Sequence, residues 1–215
     1  LQSGELLFGG RRLSGVVLDL QHQPATADSG DGWRGSFKAD QSAGQLDYRA
    51  ARTAVAPGRL RAQLSRLSLP EEAAQPAAGG VDPVSQLVDH SGLVLPALDV
   101  EVADFELRGR RLGSLALQAV NRATAADSAG RGAAGTTWQL TQLRLKNDDA
   151  VLNADGQWER VPGSSRRRMV LKFELDVANG GALLERLGFG KVLRGASGRL
   201  SGAVGWDGSP LALDF

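Results

Sequence analysis

Strict alternation of apolar and polar residues constrains this chain more than any other feature of its sequence. The alternation is clearest at the start of the segment Met169–Phe215. There the apolar side chains are Leu171, Phe173, Leu175 and Val177, and the polar ones between them are Lys172, Glu174 and Asp176. A period of two residues is the signature of a β-strand with one buried face. Such a strand needs an apolar partner for that face.

Similar runs recur along the chain and are separated by short turns rich in glycine, which favours an antiparallel meander. The predicted strands are Glu5–Phe8, Leu13–Gln23, Trp33–Asp40, Gln45–Ala51, Arg59–Leu69, Ala97–Leu107, Arg111–Val120, Thr136–Lys146, Ala150–Glu159, the run from Met169, a run through Leu200 and Trp206, and a last one through Leu211 and Phe215. In Arg59–Leu69 the apolar residues change parity after Leu64. We therefore predict a bulge near Ser65–Arg66.

Helices are scarce in this sequence. Asn179 is suited to cap a short helix that carries Leu183, Leu184 and Leu187 and ends at Gly188. A second short helix is predicted to begin at Asp82-Pro83. Two short helices cannot cover the apolar faces of about ten strands. The chain is therefore predicted to be mainly β, either as a long, curled antiparallel sheet with an open groove or as two sheets packed in a closed sandwich.

The predicted organisation is a β-sheet unit over 1–70, a connector with a short helix over 71–94, and a β unit over 95–215 with a short helix near 180–188. A short internal sequence repeat supports a repeated structural unit. Gly10-Arg-Arg-Leu13 recurs as Gly109-Arg-Arg-Leu112, and Trp33 and Trp138 each open the strand after a polar loop.

Composition excludes several classes of function. The charges nearly cancel, with 25 Lys+Arg against 24 Asp+Glu, so we expect no nucleic-acid partner. The sequence has no cysteine and no apolar run of the roughly 20 residues that a membrane-spanning helix needs. Because the chain starts at Leu1 and ends on an unfinished strand, we expect it to be a piece of a longer protein.

No residue cluster predicts catalysis or metal binding. His22 and His90 stand alone, without a second ligand at metal spacing. The group Asn147-Asp148-Asp149 lacks the residue order and the distal Glu of a calcium loop and is better explained as a hairpin turn. We expect no cofactor and no enzyme activity, since no nucleophile and base can be paired.

The order of small motifs in the second half resembles a known family. The motifs are Leu95-Pro-Ala-Leu-Asp-Val-Glu-Val, Gly109-Arg-Arg-Leu-Gly113, Trp138-Gln-Leu, Leu152-Asn-Ala-Asp-Gly-Gln-Trp158, Gly181-Ala-Leu-Leu-Glu-Arg-Leu-Gly188 and Trp206-Asp-Gly-Ser-Pro. Over about residues 93–215 the chain resembles the C-terminal part of YhdP proteins, which belong to the AsmA-like superfamily. Residues 1–70 fit the same β pattern, but their motifs resemble those of the family less closely.

This resemblance implies a large protein of the Gram-negative envelope. An N-terminal helix, absent from this sequence, would anchor the parent chain in the inner membrane. The rest would extend through the periplasm as a curled β-sheet whose hydrophobic groove resembles that of bridge-like lipid transfer proteins. The implied role is phospholipid movement toward the outer membrane in support of its permeability barrier, with contacts to outer-membrane or other envelope proteins. The family offers no catalytic residues to transfer.

The leading hypothesis is therefore a non-enzymatic conduit in which apolar side chains contact phospholipid acyl chains. The predicted lining residues are Val16, Leu18, Leu20, Leu98, Val100, Phe105, Leu115, Leu117, Leu143, Leu145, Leu171, Phe173, Leu175, Leu200 and Val204. The helix with Leu183, Leu184 and Leu187 is predicted to cap one end of the groove and to turn these leucines to the sheet. The alternative is a structural or interaction scaffold in which the same residues form a closed core.

Overall fold

In the computed structural model, the described residues form one large β-sheet and one short helix. The structure describes residues 2–8, 11–27, 29–52, 58–69, 95–124, 135–161, 164 and 166–208. The strands are β1 (Gln2–Phe8), β2 (Arg11–Gln23), β3 (Gly32–Lys38), β4 (Ser42–Arg49), β5 (Arg59–Leu69), β6 (Ala97–Leu107), β7 (Arg110–Thr124), β8 (Gly135–Lys146), β9 (Ala150–Arg160), β10 (Arg167–Val177) and β11 (Gly198–Asp207), and the helix is α1 (Gly180–Arg186). The prediction of a mainly β fold is confirmed.

Within the described ranges, the eleven strands pair in the order in which they occur in the chain, with β1 and β11 at the two edges of an open sheet. All neighbours are antiparallel except β5 and β6, which run parallel. The prediction of a wholly antiparallel sheet is therefore wrong at this one place. A parallel pair needs a connection of a dozen or more residues, and the long segment between Leu69 and Ala97 supplies it.

Two predicted elements lie outside the described residues. They are the helix beginning at Asp82 and the strand through Leu211 and Phe215. Within the described ranges, no helix is long and apolar enough to cross a bilayer.

The predicted bulge in β5 is confirmed. Pairing with β4 passes from Gly44 and Leu64 directly to Ala43 and Arg66, so Ser65 is an extra residue in β5. The extra residue returns Leu67 to the face that Leu64 occupies. The pairing of β6 with β7 shifts at the same level of the sheet, between Val102 and Phe105. Bulges bend the strands that carry them and increase their twist, so the sheet is bent along this line.

Helix α1 begins and ends as the sequence predicts. The Asn179 side-chain oxygen accepts a hydrogen bond from the amide of Ala182 at 3.1 Å, as an N-cap residue does. At the other end Gly188 has a positive φ of 88°, and its amide donates to Glu185 O at 2.9 Å. Glycine adopts this left-handed conformation without steric cost, which lets the chain leave the helix.

Candidate functional site on the apolar face

Register places apolar side chains side by side across the sheet in unbroken rows, which together form what we call the apolar face. The central row is Leu20, Gly35, Leu46, Ala62, Val100, Leu117, Leu143, Ala154, Phe173 and Gly202, one residue from each strand from β2 to β11. Side chains directly opposite in neighbouring strands lie on the same face. With strands about 4.8 Å apart, this row extends over roughly 40 Å.

A second row runs beside the central one, and every one of its members is aliphatic, aromatic or glycine. It consists of Leu18, Phe37, Gly44, Leu64, Val102, Leu115, Leu145, Leu152, Leu175 and Leu200. On the other side of the central row lies a third, which contains Leu60, Leu98, Ala119, Leu140, Gly156, Leu171 and Val204. The face therefore offers an apolar band several residues wide.

Every residue predicted to line a groove lies on this face. Thirteen of the names fall in the three rows, and Val16 and Phe105 lie on the same face just beyond the second row. The predicted set is incomplete, because Leu46, Leu64 and Val102 share the face. Alternation within their own strands is the signal that would have found them. That these side chains contact lipid stays a prediction.

The face is not uniformly buried. Val102 and Ala119 are shielded from solvent, whereas Leu200 and Val204 in the edge strand β11 are 57% and 41% exposed. Glycine and alanine interrupt the larger residues of the central row at four places, and the Phe173 ring lies over Gly202, where an added Cβ would come within 3.2 Å of ring carbons. Small residues beside large ones leave depressions in an apolar surface into which a flexible chain can settle.

Aromatic residues gather at one end of the apolar face, which sequence reasoning did not anticipate. All four tryptophans and the single tyrosine of the chain lie there, as Trp33, Tyr48, Trp138, Trp158 and Trp206. Trp33 and Trp138 lie near the start of their strands, whereas Tyr48, Trp158 and Trp206 lie near the end of theirs. Antiparallel pairing therefore places all five at the same end of the sheet. Only the register reveals this grouping, because residues far apart in the sequence contribute to it.

Two hydrophobic clusters hold the face together. One lies at the aromatic end and is built around Ala119, Trp138, Leu140, Trp158 and Met169; the other lies at the opposite end and is built around Val102, Phe105 and Leu112. The Trp158 indole N–H donates to Gly208 O at 2.7 Å, and the guanidinium of Arg167 lies 4.7 Å from the ring centroid. The aromatic end is therefore tightly packed around Trp158.

Helix α1 lies at the end of the sheet opposite the aromatic one. The guanidinium of Arg186 binds the Asp149 carboxylate with two nitrogens, at 2.8 Å and 2.7 Å, and donates to Arg111 O at 3.2 Å. This places the helix across the β8–β9 turn toward the start of β7. Leu183 and Leu184 are half-buried, whereas Leu187 is 38% exposed, and none of the three belongs to either cluster. A capping role for the helix stays a prediction.

The opposite face of the sheet is charged. Arg34 binds Asp47 across β3 and β4, with Nε 2.6 Å from the carboxylate, and Arg61 binds Asp99 at 2.9 Å across β5 and β6. In β11, the guanidinium of Arg199 donates a hydrogen bond to the Asp176 carboxylate, and this bond together with the negative charges of Asp176 and Glu174 raises the pKa of Arg199. Cavities of about 610 Å³ and 420 Å³ open on this face, and most of the residues that line the smaller one are polar.

Asn147, Asp149 and His22, which were considered as possible metal ligands, make structural contacts in the fold. Asn147 accepts hydrogen bonds from the amides of Asp149 and Ala150, and so shapes the β8–β9 turn as predicted. The His22 ring meets Trp33 edge-on, with centroids 5.1 Å apart. Among the described residues, no three His, Cys, Asp or Glu side chains are grouped to hold a metal ion. His90 lies outside these residues.

Comparison with protein families gives a match to the whole chain. The family model described as YhdP protein matches residues 1–215, which is the whole of this chain. No curated protein and no solved structure matches it.

Proposed function

The chain belongs to the YhdP protein family, and on that premise we propose that its apolar face binds phospholipid acyl chains in a segment of a lipid-conducting bridge. The bridge would lie in the periplasm of a Gram-negative bacterium and carry phospholipid between the inner and outer membranes. It would thereby support the permeability barrier of the outer membrane. We propose no catalytic role.

The observation that carries this proposal is the continuity of the apolar rows. They run through ten neighbouring strands without one charged side chain in the central row. A surface that served only to pack against a second protein layer would not need to extend in one direction over so many strands. A flexible hydrocarbon chain that moves along the sheet does need such continuity.

The energetics suit transport better than tight, specific binding. Each CH₂ group removed from water contributes about 0.8 kcal/mol, so even part of an acyl chain binds appreciably. The central row offers only aliphatic, phenyl and glycine contacts, without a directional hydrogen bond to fix one position. A lipid could then exchange one set of contacts for a nearly equivalent set on the next strand, with a small barrier between them.

The parent chain would be attached to the inner membrane by an N-terminal segment that precedes this sequence. Contacts with outer-membrane or other envelope proteins would complete the path. Family membership supports a bacterial envelope protein, and the finer assignment to the periplasm belongs to the proposal.

Photocrosslinking at two adjacent residues tests the proposal. A photoreactive residue at Phe173 faces the apolar side, whereas one at Lys172 faces the charged side, so the two report on opposite faces at the same level of β10. We expect labelling of phospholipid from position 173 and little from position 172. Equal labelling at the two positions, or none at either, would contradict a lipid-binding apolar face.

One observation favours a second candidate, a structural or interaction scaffold with a closed core. Trp158 and Met169 are each 1% exposed, which is typical of ordinary core residues. Extraction of the purified parent protein with organic solvent distinguishes the two. Co-purifying phospholipid supports the conduit, and its absence from protein prepared without lipid-stripping detergent supports the scaffold.

A further inference from the structure

The segment that follows helix α1, Leu187–Arg194, exposes an unusual amount of apolar surface. Phe189 is 64% exposed, Val192 68% and Leu193 45%. Large apolar side chains are rarely this exposed so close together on a soluble surface, and such patches generally mark an interaction site. We call this segment the apolar loop.

The conformation of the apolar loop is fixed by the helix beneath it. The amide of Phe189 donates to Leu184 O at 2.9 Å, and Gly188 and Gly190 both have positive φ angles. The backbone of Leu193 lies against the helix start, where a Cβ added at Gly181 would come within 2.4 Å of Leu193 O. The side chains of Phe189 and Val192 therefore project from a shaped turn rather than from a random coil.

Positive charge accompanies the apolar side chains. Lys191 lies between Phe189 and Val192 in sequence, Arg194 follows Leu193, and both cations are exposed. The guanidinium of Arg110 lies against Gly188. Of the nearby acidic groups, Asp149 is paired with Arg186 and the exposed Glu185 lies in the helix. Cations among exposed aromatic and aliphatic residues suit the boundary between anionic headgroups and acyl chains.

We propose that the apolar loop is a membrane-contact site that inserts Phe189, Val192 and Leu193 into the surface of an anionic bilayer. A few projecting side chains form too small a surface for a stable protein interface, which buries about 800 Å² on each partner. A bilayer accepts such a small tip, and its anionic headgroups complement Lys191 and Arg194. This inference goes beyond the proposed function, because adhesion to a membrane is distinct from holding lipid on the apolar face.

Vesicle sedimentation with the full chain tests the membrane-contact site. The vesicles are phosphatidylethanolamine with phosphatidylglycerol, and phosphatidylcholine alone serves as the neutral comparison. The test variants are Phe189→Ser with Val192→Ser, and Lys191→Gln with Arg194→Gln. The control is Val17→Ser, which removes an apolar side chain that is 43% exposed from the charged face of β2. Circular dichroism confirms that each variant is folded.

We expect the chain and the Val17→Ser control to sediment with anionic vesicles and much less with neutral ones. Each charge removed should weaken binding about fivefold, and removal of both apolar side chains should abolish it. Photocrosslinking at position 173 is a separate measurement, so a failure of the acyl-chain proposal remains distinguishable from a failure of the membrane-contact site. Equal sedimentation of all variants would overturn the membrane-contact site. The proposal would also be overturned if the chain associated with itself in the absence of vesicles and the double variant Phe189→Ser with Val192→Ser abolished that association. The apolar loop would then join two copies of the chain.

Discussion

Strands β1–β5, the first unit, and β6–β10, the second unit, follow the same path through the sheet but bury their aromatic residues very differently. In both units a connection of two residues leads into a long strand that begins with two arginines, at Arg11 in β2 and at Arg110 in β7. The next strand carries the tryptophan, and the one after it a facing aromatic residue. Trp33 in the first unit is 45% exposed, whereas the equivalent Trp138 in the second is 5% exposed.

The neighbours of the two tryptophans explain this difference. Trp33 lies between His22 and Tyr48 in the sheet. Trp138 lies beside Trp158, and its indole N–H donates to Pro96 O at 3.4 Å. Trp138 is covered from two sides, by the ring of Trp158 and by the chain at Pro96 before β6. The same strand path can therefore produce either an exposed aromatic surface or a packed core, depending on the residues that flank one position.

Truncation of the buried ring should have the largest effect on stability. Trp158→Ala removes a side chain that is 1% exposed and whose N–H is hydrogen-bonded, so we expect a loss of about 3–5 kcal/mol in the free energy of unfolding. Tyr48→Ala at the equivalent position of the first unit, where the ring is 37% exposed, should cost about 1 kcal/mol. Urea unfolding followed by circular dichroism measures both. Equal losses would show that the two units are packed alike despite their different exposure.

The strands, the bulge at Ser65 and the cap at Asn179 could be predicted because each depends on residues that are close in sequence. Alternation within a strand decides which side chains share its face. A capping side chain bonds to an amide only three residues away. Features that depend only on neighbouring residues can be predicted from a single sequence.

The parallel pair and the aromatic end could not be predicted, because both depend on pairing between distant segments. Strands β5 and β6 have the same alternation whether they run parallel or antiparallel, and only the path of the intervening connection decides between them. The meeting of Trp138 with Trp158 depends on the register of β8 and β9. The burial of each ring then depends on contacts from still other segments, such as Gly208 and Pro96.

The β8–β9 turn of the second unit and the β3–β4 turn of the first provide a second comparison, for which we expect an intermediate effect on stability. Asp149→Ala leaves the half-buried guanidinium of Arg186 without its carboxylate, and we expect a loss of about 1–3 kcal/mol with faster amide exchange in helix α1. The equivalent residue of the β3–β4 turn is Gln41, whose side-chain oxygen accepts a long hydrogen bond from the Ser14 amide, at 3.5 Å. Gln41→Ala should cost less than about 0.5 kcal/mol. Hydrogen exchange measured by mass spectrometry checks the helix, and unchanged exchange in Asp149→Ala would contradict a role for this pair in holding α1 to the sheet.

The smallest effect on stability is expected on the charged face, where one unit has an ion pair and the other has two neutral side chains at the equivalent positions. Arg34 pairs with Asp47 in the first unit, whereas the equivalent positions of the second are Gln139 and Gln157. A double-mutant cycle on Arg34→Gln and Asp47→Gln should give a coupling of about 0.2–1 kcal/mol, because Arg34 is largely exposed. The coupling should nearly vanish at about 1 M salt, where the Debye length is about 3 Å. The matched cycle on Gln139→Ala and Gln157→Ala should not respond to salt. A coupling on Arg34 and Asp47 that persists in salt would mean that the charged face, and not only the apolar one, fixes the register of the first unit.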